Sequence, residues 1–255
     1  MIQRAMLDGK RALVTGASRN LGAVVAARLG RGGATVAVNY HTSPGAAEEL
    51  VDELRVETGR PHLALPGDMG RPDAVRGLVA AAVEGLAGPI DVLVNNVGPF
   101  AMTPFAELAE EEWDRIWDSN VKAAYLATQA VVPAMRRAGW GRIVNLSAVS
   151  AYVRNRSIYG LAKSAIVVLT EELALELGPE ITVNAVAPGQ IVESLEDIAA
   201  FDPTWADRVR ERTPAGRLVT RDEVAEVVYR LCTPMFDMVT GVTIPLDGGL
   251  RLNRF

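Results

Sequence analysis

RALVTGASRNLGAVVAARL, residues 11 to 29, is the stretch whose reading decides the fold. Ala12, Leu13 and Val14 form the short apolar run of a strand buried on both faces, Thr15-Gly16 breaks it, and Ala23 to Ala27 continue with helical character. The stretch is a strand, a tight turn and a helix. A helix that begins where a strand stops points unpaired N–H groups and the positive end of its dipole above the turn, which suits a phosphate. Gly16 and Gly22 lack the side chains that would hold backbone and ligand apart.

The same alternation repeats along the chain. Further strands are expected at Thr35 to Tyr40, Leu63 to Leu65, Ile90 to Val94, Arg142 to Leu146, Ile181 to Ala187 and Val242 to Leu246. Helices are expected between them, from about Gly45 to Glu57, Asp73 to Leu86, Glu107 to about Ala138, Ser157 to Leu177 and Arg221 to Leu231. This order predicts a doubly wound, Rossmann-type α/β fold: a seven-stranded, mostly parallel sheet with helices on both faces, as a single domain over residues 1–255. Gln190 to Arg217 is polar and mixed and follows a strand's C-terminal end, so it reads either as a substrate lid or as a surface excursion.

Composition narrows the classes. With 49% hydrophobic and 22% charged residues among 255, the chain can bury one large sheet-based core. A formal net charge of -5 argues against a nucleic-acid binder, whose phosphate contacts need a basic excess. One cysteine, Cys232, permits neither an internal disulfide nor a thiolate pair for a metal, which fits a reducing compartment. The start, MIQRAMLDGKRA, has no apolar stretch of signal-peptide length, and no run approaches the roughly 18 apolar residues of a membrane span. The expectation is a cytoplasmic protein without a leader or membrane segment. His41 and His62 lack carboxylate company, so both read as surface histidines and no metal site is expected. Trp113 and Trp117, one helical turn apart, read as helix packing.

Chemistry collects at the strand ends. Thr15-Gly16 and Gly22 follow strand one, Asp68 follows strand three, and Asn95-Asn96-Val97-Gly98 follow strand four. Asn120 lies in the long helix, Ser147 ends strand five, and Tyr159 and Lys163 share one face of the next helix. A phenol titrates near pH 10 in water, so it is protonated at neutrality. An ammonium about 4 Å away, at an effective dielectric near 20, contributes about 4 kcal/mol and is expected to lower that value by roughly three units. Tyr159 is thereby expected to reach the range of a general acid/base.

The pieces TGASRNLG, NNVG, SNVK, IVNLS, YGLAK and AVAPG occur in the order of the short-chain dehydrogenase/reductase family, which the chain resembles over nearly its whole length. Its general look is most like 3-oxoacyl-carrier-protein reductases and related ketoreductases. The resemblance implies an oxidoreductase that moves hydride between a nicotinamide cofactor and a ketone or secondary alcohol. It assigns the proton to Tyr159, the ribose contact to Lys163, a bound water to Asn120 and the substrate hydrogen bond to a serine after strand five. There this chain departs from the pattern, because Ala148 stands at the expected position and the segment before Tyr159 is about two residues short. Ser147 takes the role if the register shifts, or Ser150 does. Alternatively the site catalyses an isomerase, dehydratase or lyase reaction, or the chain is a non-catalytic NADP(H) sensor.

For the cofactor, the resemblance implies contacts from Gly16, Ser18, Arg19, Asn20 and Leu21 in the turn, and from Asn39, Tyr40 and His41 at the end of strand two. It adds Asp68 and Met69 at the adenine, Asn95 and Gly98 on the adenosine side, and Pro188, Gly189 and Ile191 at the carboxamide. Thr15 and Asn96 are expected to brace strands one and four. Asn20 stands where the family has glycine, and asparagine tolerates a left-handed backbone. Strand two ends without the carboxylate an NAD enzyme uses on the ribose, while Arg19 and His41 suit a 2'-phosphate, so NADP(H) is expected. Phe100, Met102 and Tyr152 would make the pocket apolar. Arg136, Arg137 and Arg142 would attract an acidic carrier protein or complement a helix C-terminus. The resemblance further implies a homotetramer or homodimer.

Overall fold

The computed structural model describes residues 5–153, 156–195 and 204–252. Its strands are β1 (Arg11–Val14), β2 (Thr35–Tyr40), β3 (Leu63–Pro66), β4 (Val92–Asn95), β5 (Gly141–Leu146), β6 (Ile181–Pro188) and β7 (Thr243–Leu246). They form one sheet in the order β3-β2-β1-β4-β5-β6-β7, parallel at every pairing. The chain winds outward from β1 in one direction and from β4 in the other. A crevice therefore opens above the C-terminal ends of β1 and β4.

Two-sided burial explains the apolar runs. Ala12, Val14, Val36, Val38, Val92, Val94, Val144, Leu146 and Val186 face one way, against Val25 and Leu29 of α1 (Asn20–Arg31) and Val224 and Val228 of α8 (Arg221–Leu231). The alternating residues Leu13, Ala37, Leu93, Ile143 and Val183 face the other way. There they meet Leu78 of α3 (Pro72–Gly85), Val131 of α5 (Ala123–Ala138) and Leu177 of α6 (Ile158–Leu177). Each fully buried aliphatic contributes about 1.5–3 kcal/mol, so a charge at Leu13 or Leu93 would break the sheet's central packing. The second helix, α2 (Pro44–Thr58), covers the β2–β3 edge with Ala47, Val51 and Leu54.

The expected long helix begins later, as α4 (Glu110–Trp117), and a π-turn (Asp118–Lys122) separates it from α5. Asn120 gives the reason: its amide donates to the Ile116 carbonyl at 2.9 Å and to Pro99 at 3.2 Å, and the backbone widens so that Ala123 N–H reaches back to Asp118. The π-turn brings Asn120, buried, to the crevice. Trp113 and Trp117 stack at 6.2 Å on α4, as their spacing predicts.

Two surface expectations are corrected. His62 is fully buried, accepting from Val36 N–H at Nδ1 (3.1 Å) and facing Thr58 Oγ1 at Nε2 (2.8 Å). The Thr58 hydroxyl donates to Leu54 O, so the ring is the neutral Nε2–H tautomer. Arg142 is buried too, ion-paired with Asp237 and stacked on Trp140, and so is withdrawn from any carrier protein. Arg136 and Arg137 are in the last turn of α5, just ahead in the chain of the N-terminal end of β5, the end of the strand away from Tyr159.

The polar segment after β6 holds a 3-10 turn (Val192–Ser194) and an unforeseen helix, α7 (Trp205–Arg212), with Trp205 Nε1 donating to Gln190 Oε1 at 3.2 Å. Residues 196–203 of the expected lid lie outside the described residues. No described helix is long and apolar enough to cross a membrane. Among the described residues no three His, Cys, Asp or Glu side chains are grouped to hold a metal.

Candidate active site

The turn after β1 has the shape its sequence predicts. Gly16 sits at φ +60, where a Cβ would strike Val97 Cγ2 at 2.6 Å, and a Cβ on Gly22 would come 2.4 Å from Gly16 O. Asn20 adopts φ 54, the left-handed conformation expected of it, and Arg19 before it is extended and exposed. No side chain caps α1, so its first N–H groups face the crevice. Ser18 and Leu21 are half-buried alongside. The turn fits the pyrophosphate of a dinucleotide.

Two side chains expected at the cofactor, those of Asn39 and Asn95, are engaged within the protein. Asn39 is buried; its Oδ1 accepts from Gly16 N–H at 2.9 Å while its amide donates to Tyr40, Leu65 and Gly67 carbonyls. Its side chain is thus withdrawn from a ribose phosphate. Asn95 is likewise turned inward, donating to Asn145 Oδ1 at 2.9 Å. Asn96 and Thr15 brace β1 and β4 as expected, Asn96 Nδ2 donating to Thr15 O and Gly16 O and Thr15 Oγ1 accepting from two N–H groups. Around the nucleoside end, Tyr40 is half-buried, His41 is exposed 3.9 Å from the Asp68 carboxylate, and Met69 is buried. Asp68 Oδ1 accepts from Gly70 N–H at 2.9 Å. Pro188 ends β6, Gly189 N–H donates to Leu246 O, and Ile191 pairs with Val219.

Tyr159 and Lys163 stand on the first turns of α6, which starts at Ser157 because the Ser157 hydroxyl accepts from Gly160 N–H at 3.1 Å. Lys163 is buried, its Nζ donating to Leu146 O at 2.8 Å and lying 5.5 Å from the Tyr159 ring centre. A Cβ on Gly98 would fall 2.6 Å from that Nζ and 2.4 Å from Asn120 Oδ1, so the glycine leaves the space in which the two polar groups approach. Asn120 Oδ1 is buried without a hydrogen-bond partner. Phe100 meets the Tyr159 ring edge-on at 4.9 Å.

The expected pKa direction is corrected. Burial pushes Tyr159 up to about 12 and Lys163 down to about 8. The ammonium is aimed at a backbone carbonyl rather than at the phenol, and loss of water outweighs its pull on the resting ring.

At the end of β5 the serines divide. Ser147 donates its hydroxyl to Lys163 O at 2.8 Å, and with the Lys163–Leu146 bond this clamps α6 to the strand. Ala148 is extended, and a 3-10 turn (Val149–Ala151) follows, with Ser150 inside it. The polar residues that sequence reading passed over are Asn145 and Thr170, which link β5 to α6 at 2.9 Å. A lone asparagine inside the apolar run RIVNL was their only signal.

Comparison with known proteins gives one answer. Residues 16–251 match a family model described as enoyl-(acyl carrier protein) reductase, of the short-chain dehydrogenase type. The 3-oxoacyl-[acyl-carrier-protein] reductase FabG of Staphylococcus epidermidis is 35% identical over 246 residues, 95% of this chain and 99% of that protein. A gluconate 5-dehydrogenase from Burkholderia cenocepacia J2315, solved with NADP and tartrate, superposes with a TM-score of 0.90 at 30% identity, covering 98% of each chain. A 7α-hydroxysteroid dehydrogenase, solved with NADH and 7-oxo glycochenodeoxycholic acid, gives 0.90 at 29% identity over 96% of each. With its parallel seven-stranded sheet, its glycine turn and its strand-end Tyr159 and Lys163, the chain belongs to the short-chain dehydrogenase/reductase family of oxidoreductases.

Proposed function

We propose that the protein, one domain throughout, is an NADP(H)-dependent carbonyl reductase that also oxidises the matching secondary alcohol. The observation that carries this reading is half-buried Tyr159 and buried Lys163 at the crevice beside buried Asn120, above an uncapped helix behind a glycine turn. The turn, with Ser18, Arg19, Asn20 and Leu21, would hold the phosphates; Asp68, Met69 and Gly98 would line the adenosine side, and Pro188, Gly189 and Ile191 the carboxamide. NADP(H) is favoured over NAD because the end of β2 offers no carboxylate and Asn39 is committed to the backbone, while Arg19 stands exposed at the turn.

When bound, the dihydronicotinamide supplies hydride to the carbonyl carbon. As the C=O pair moves onto oxygen, Tyr159 gives that oxygen its phenolic proton, which solvent later replaces. Its high pKa keeps the proton in place at neutrality, and Lys163, cationic below about 8, stabilises the phenolate as it forms. Alcohol oxidation runs the same steps backward.

Exposed Phe100, Met102 and Tyr152 at the strand ends favour a ketone on an apolar or aromatic body, free or carrier-bound. Leu161, Val168 and Leu175 form an exposed stripe at seven-residue spacing on α6, and Tyr125 is exposed on α5. We take these helices as the self-association surface of a homodimer or homotetramer, and the protein as cytoplasmic. NADPH oxidation with β-keto esters, quinones and decalones tests the reaction. Tyr159→Phe should lower kcat by about 10²–10⁴-fold with NADPH binding intact; unchanged turnover rejects Tyr159 as the acid. Because the matching family model carries an enoyl-reductase description, a crotonyl thioester belongs in the panel. Its preferential reduction would move hydride delivery to the β-carbon.

A further inference from the structure

A phenol that passes a proton to a substrate has to be held in one place, because a small misplacement of the acid costs rate. Among the described residues the Tyr159 hydroxyl has no hydrogen-bond partner, so packing sets the direction of its ring. Lys163 Nζ lies 5.5 Å from the ring centre but is committed to Leu146 O. The aromatic partner of the ring is Phe100, with centroids 4.9 Å apart and planes crossing at 71°. An edge-to-face pair of this kind favours one mutual orientation by about 2- to 12-fold.

Phe100 can act as a stop only if it is itself held, and its neighbours are tied on both sides. Pro99 O accepts from Asn120 Nδ2 at 3.2 Å, and Ala101 is buried against Ile116, Ile158 and Ala162. Thr103 Oγ1 donates to Glu112 Oε2 at 2.9 Å, and Pro104 bridges Ser157, the residue that caps α6. The segment is thus fastened to the π-turn, to α4 and to the helix that carries Tyr159. The Phe100 side chain is 59% exposed, so it adds little to the core, and its ring rests on the phenol. The segment from Pro99 to Pro104 has no titratable side chain, and the π-turn presents neutral Asn120, its Asp118 and Lys122 being paired with each other. Lys163 on α6 is therefore the titratable group that faces the phenol.

We propose that Phe100 is a positioning residue for the proton transfer: its ring, pinned through Pro99 and Ala101, holds the Tyr159 phenol in one orientation and keeps water from that side of it. Covering the phenol adds to the burial that raises its titration. This rests on the carbonyl-reductase reading of the site and gives Phe100 a task beyond making the pocket apolar.

The test uses the full chain, with ethyl acetoacetate and trans-1-decalone as probes for reduction and their alcohols for oxidation. Phe100→Ala should lower kcat about 3- to 10-fold on both ketones, leaving Tm and the NADPH dissociation constant unchanged. With the phenol opened to water, the rise of alcohol oxidation with pH should move about 0.5–1 unit lower. Phe100→Tyr keeps the ring edge and should stay within about twofold of the parent kcat. A loss confined to KM for trans-1-decalone, with the pH profile unmoved, overturns the inference and makes Phe100 a wall of the pocket. Phe100→Ala matching the parent in both kcat and pH profile overturns it too, and leaves the proposed function standing. A fall in Tm together with weakened NADPH binding also overturns it, because that marks a residue of the fold. Absence of NADPH oxidation by the parent protein on both probes overturns the carbonyl-reductase reading, and this assignment with it.

Discussion

Replacing Lys163 by methionine should stabilise the cofactor-free protein while abolishing its turnover. Burial lowers Lys163 from 10.5 to about 8. Because the folded value is the lower one, the unfolded chain holds this proton more tightly, and stability is lost as pH falls from 10.5 through 8. At about 1.36 kcal/mol per unit the ammonium costs about 3 kcal/mol at pH 7. Methionine keeps an unbranched apolar stem but leaves Leu146 O without its donor, a loss of about 1–2 kcal/mol. The balance is a gain of about 1–2 kcal/mol at pH 7, or roughly 2–8 °C in Tm for a chain of this size. At pH 9.5 the folded lysine is neutral, its remaining cost is about 1 kcal/mol, and the advantage of methionine disappears. Urea unfolding of both proteins at equal concentration, at pH 7 and 9.5, reads this directly. A difference between them that does not change with pH, or a lysine form that is the more stable at pH 7, would refute the account of a functional charge held against its solvation.

Three further outcomes are expected. At φ 54, Asn20→Ala should lose about 1–2 kcal/mol of stability and weaken NADPH binding, while Asn20→Gly should do neither; indistinguishable alanine and glycine variants in thermal melts and NADPH fluorescence titrations would contradict this. Burial, then the charges of Arg60 and Arg55, lower His62 to about 4, so its stabilising contribution is complete above about 6.5 and is lost as pH falls through 4. That loss is about 3 kcal/mol at full value and roughly 1–2 after solvent screening, and His62→Gln should flatten the acid limb of stability against pH; an unaltered limb counts against it. Arg19→Ala should raise the NADPH dissociation constant about tenfold, the equivalent of 1.4 kcal/mol, and leave NADH unaffected. An equal loss for both cofactors would remove Arg19 from the 2'-phosphate.

Strand positions were legible because both faces of a parallel sheet are apolar, and β2 and α8 fall on the expected residues. The left-handed backbone at Asn20 was legible because the resemblance puts glycine at that position and asparagine tolerates the same conformation. What pattern could not give is which partner a polar side chain takes. The π-turn depends on Asn120 meeting the Pro99 carbonyl, 21 positions away. His62 reads as a surface residue until the β2–β3 edge and α2 enclose it. The upward shift of Tyr159 depends on burial, which the spacing of Tyr159 and Lys163 does not encode.

The polar residues that do punctuate the apolar runs follow a rule of their own. Asn39 ties the β1 turn to β2 and β3, Asn96 ties it to β4, Asn95 reaches Asn145 on β5, and Asn145 reaches Thr170 on α6. Each bond contributes only about 0.5–1.5 kcal/mol net, but together they cross the sheet at the end where the ligand would lie. The turn after β1 and the helix carrying Tyr159 are thereby held in one frame by side chains bonded to one another and to the backbone. Among the described residues near this end, Asn95 Oδ1, Asn120 Oδ1 and Ser150 Oγ are buried without a hydrogen-bond partner. An unsatisfied atom inside so well-tied an edge cannot relax toward a protein partner, which is the condition for its meeting a substrate or water in a fixed place.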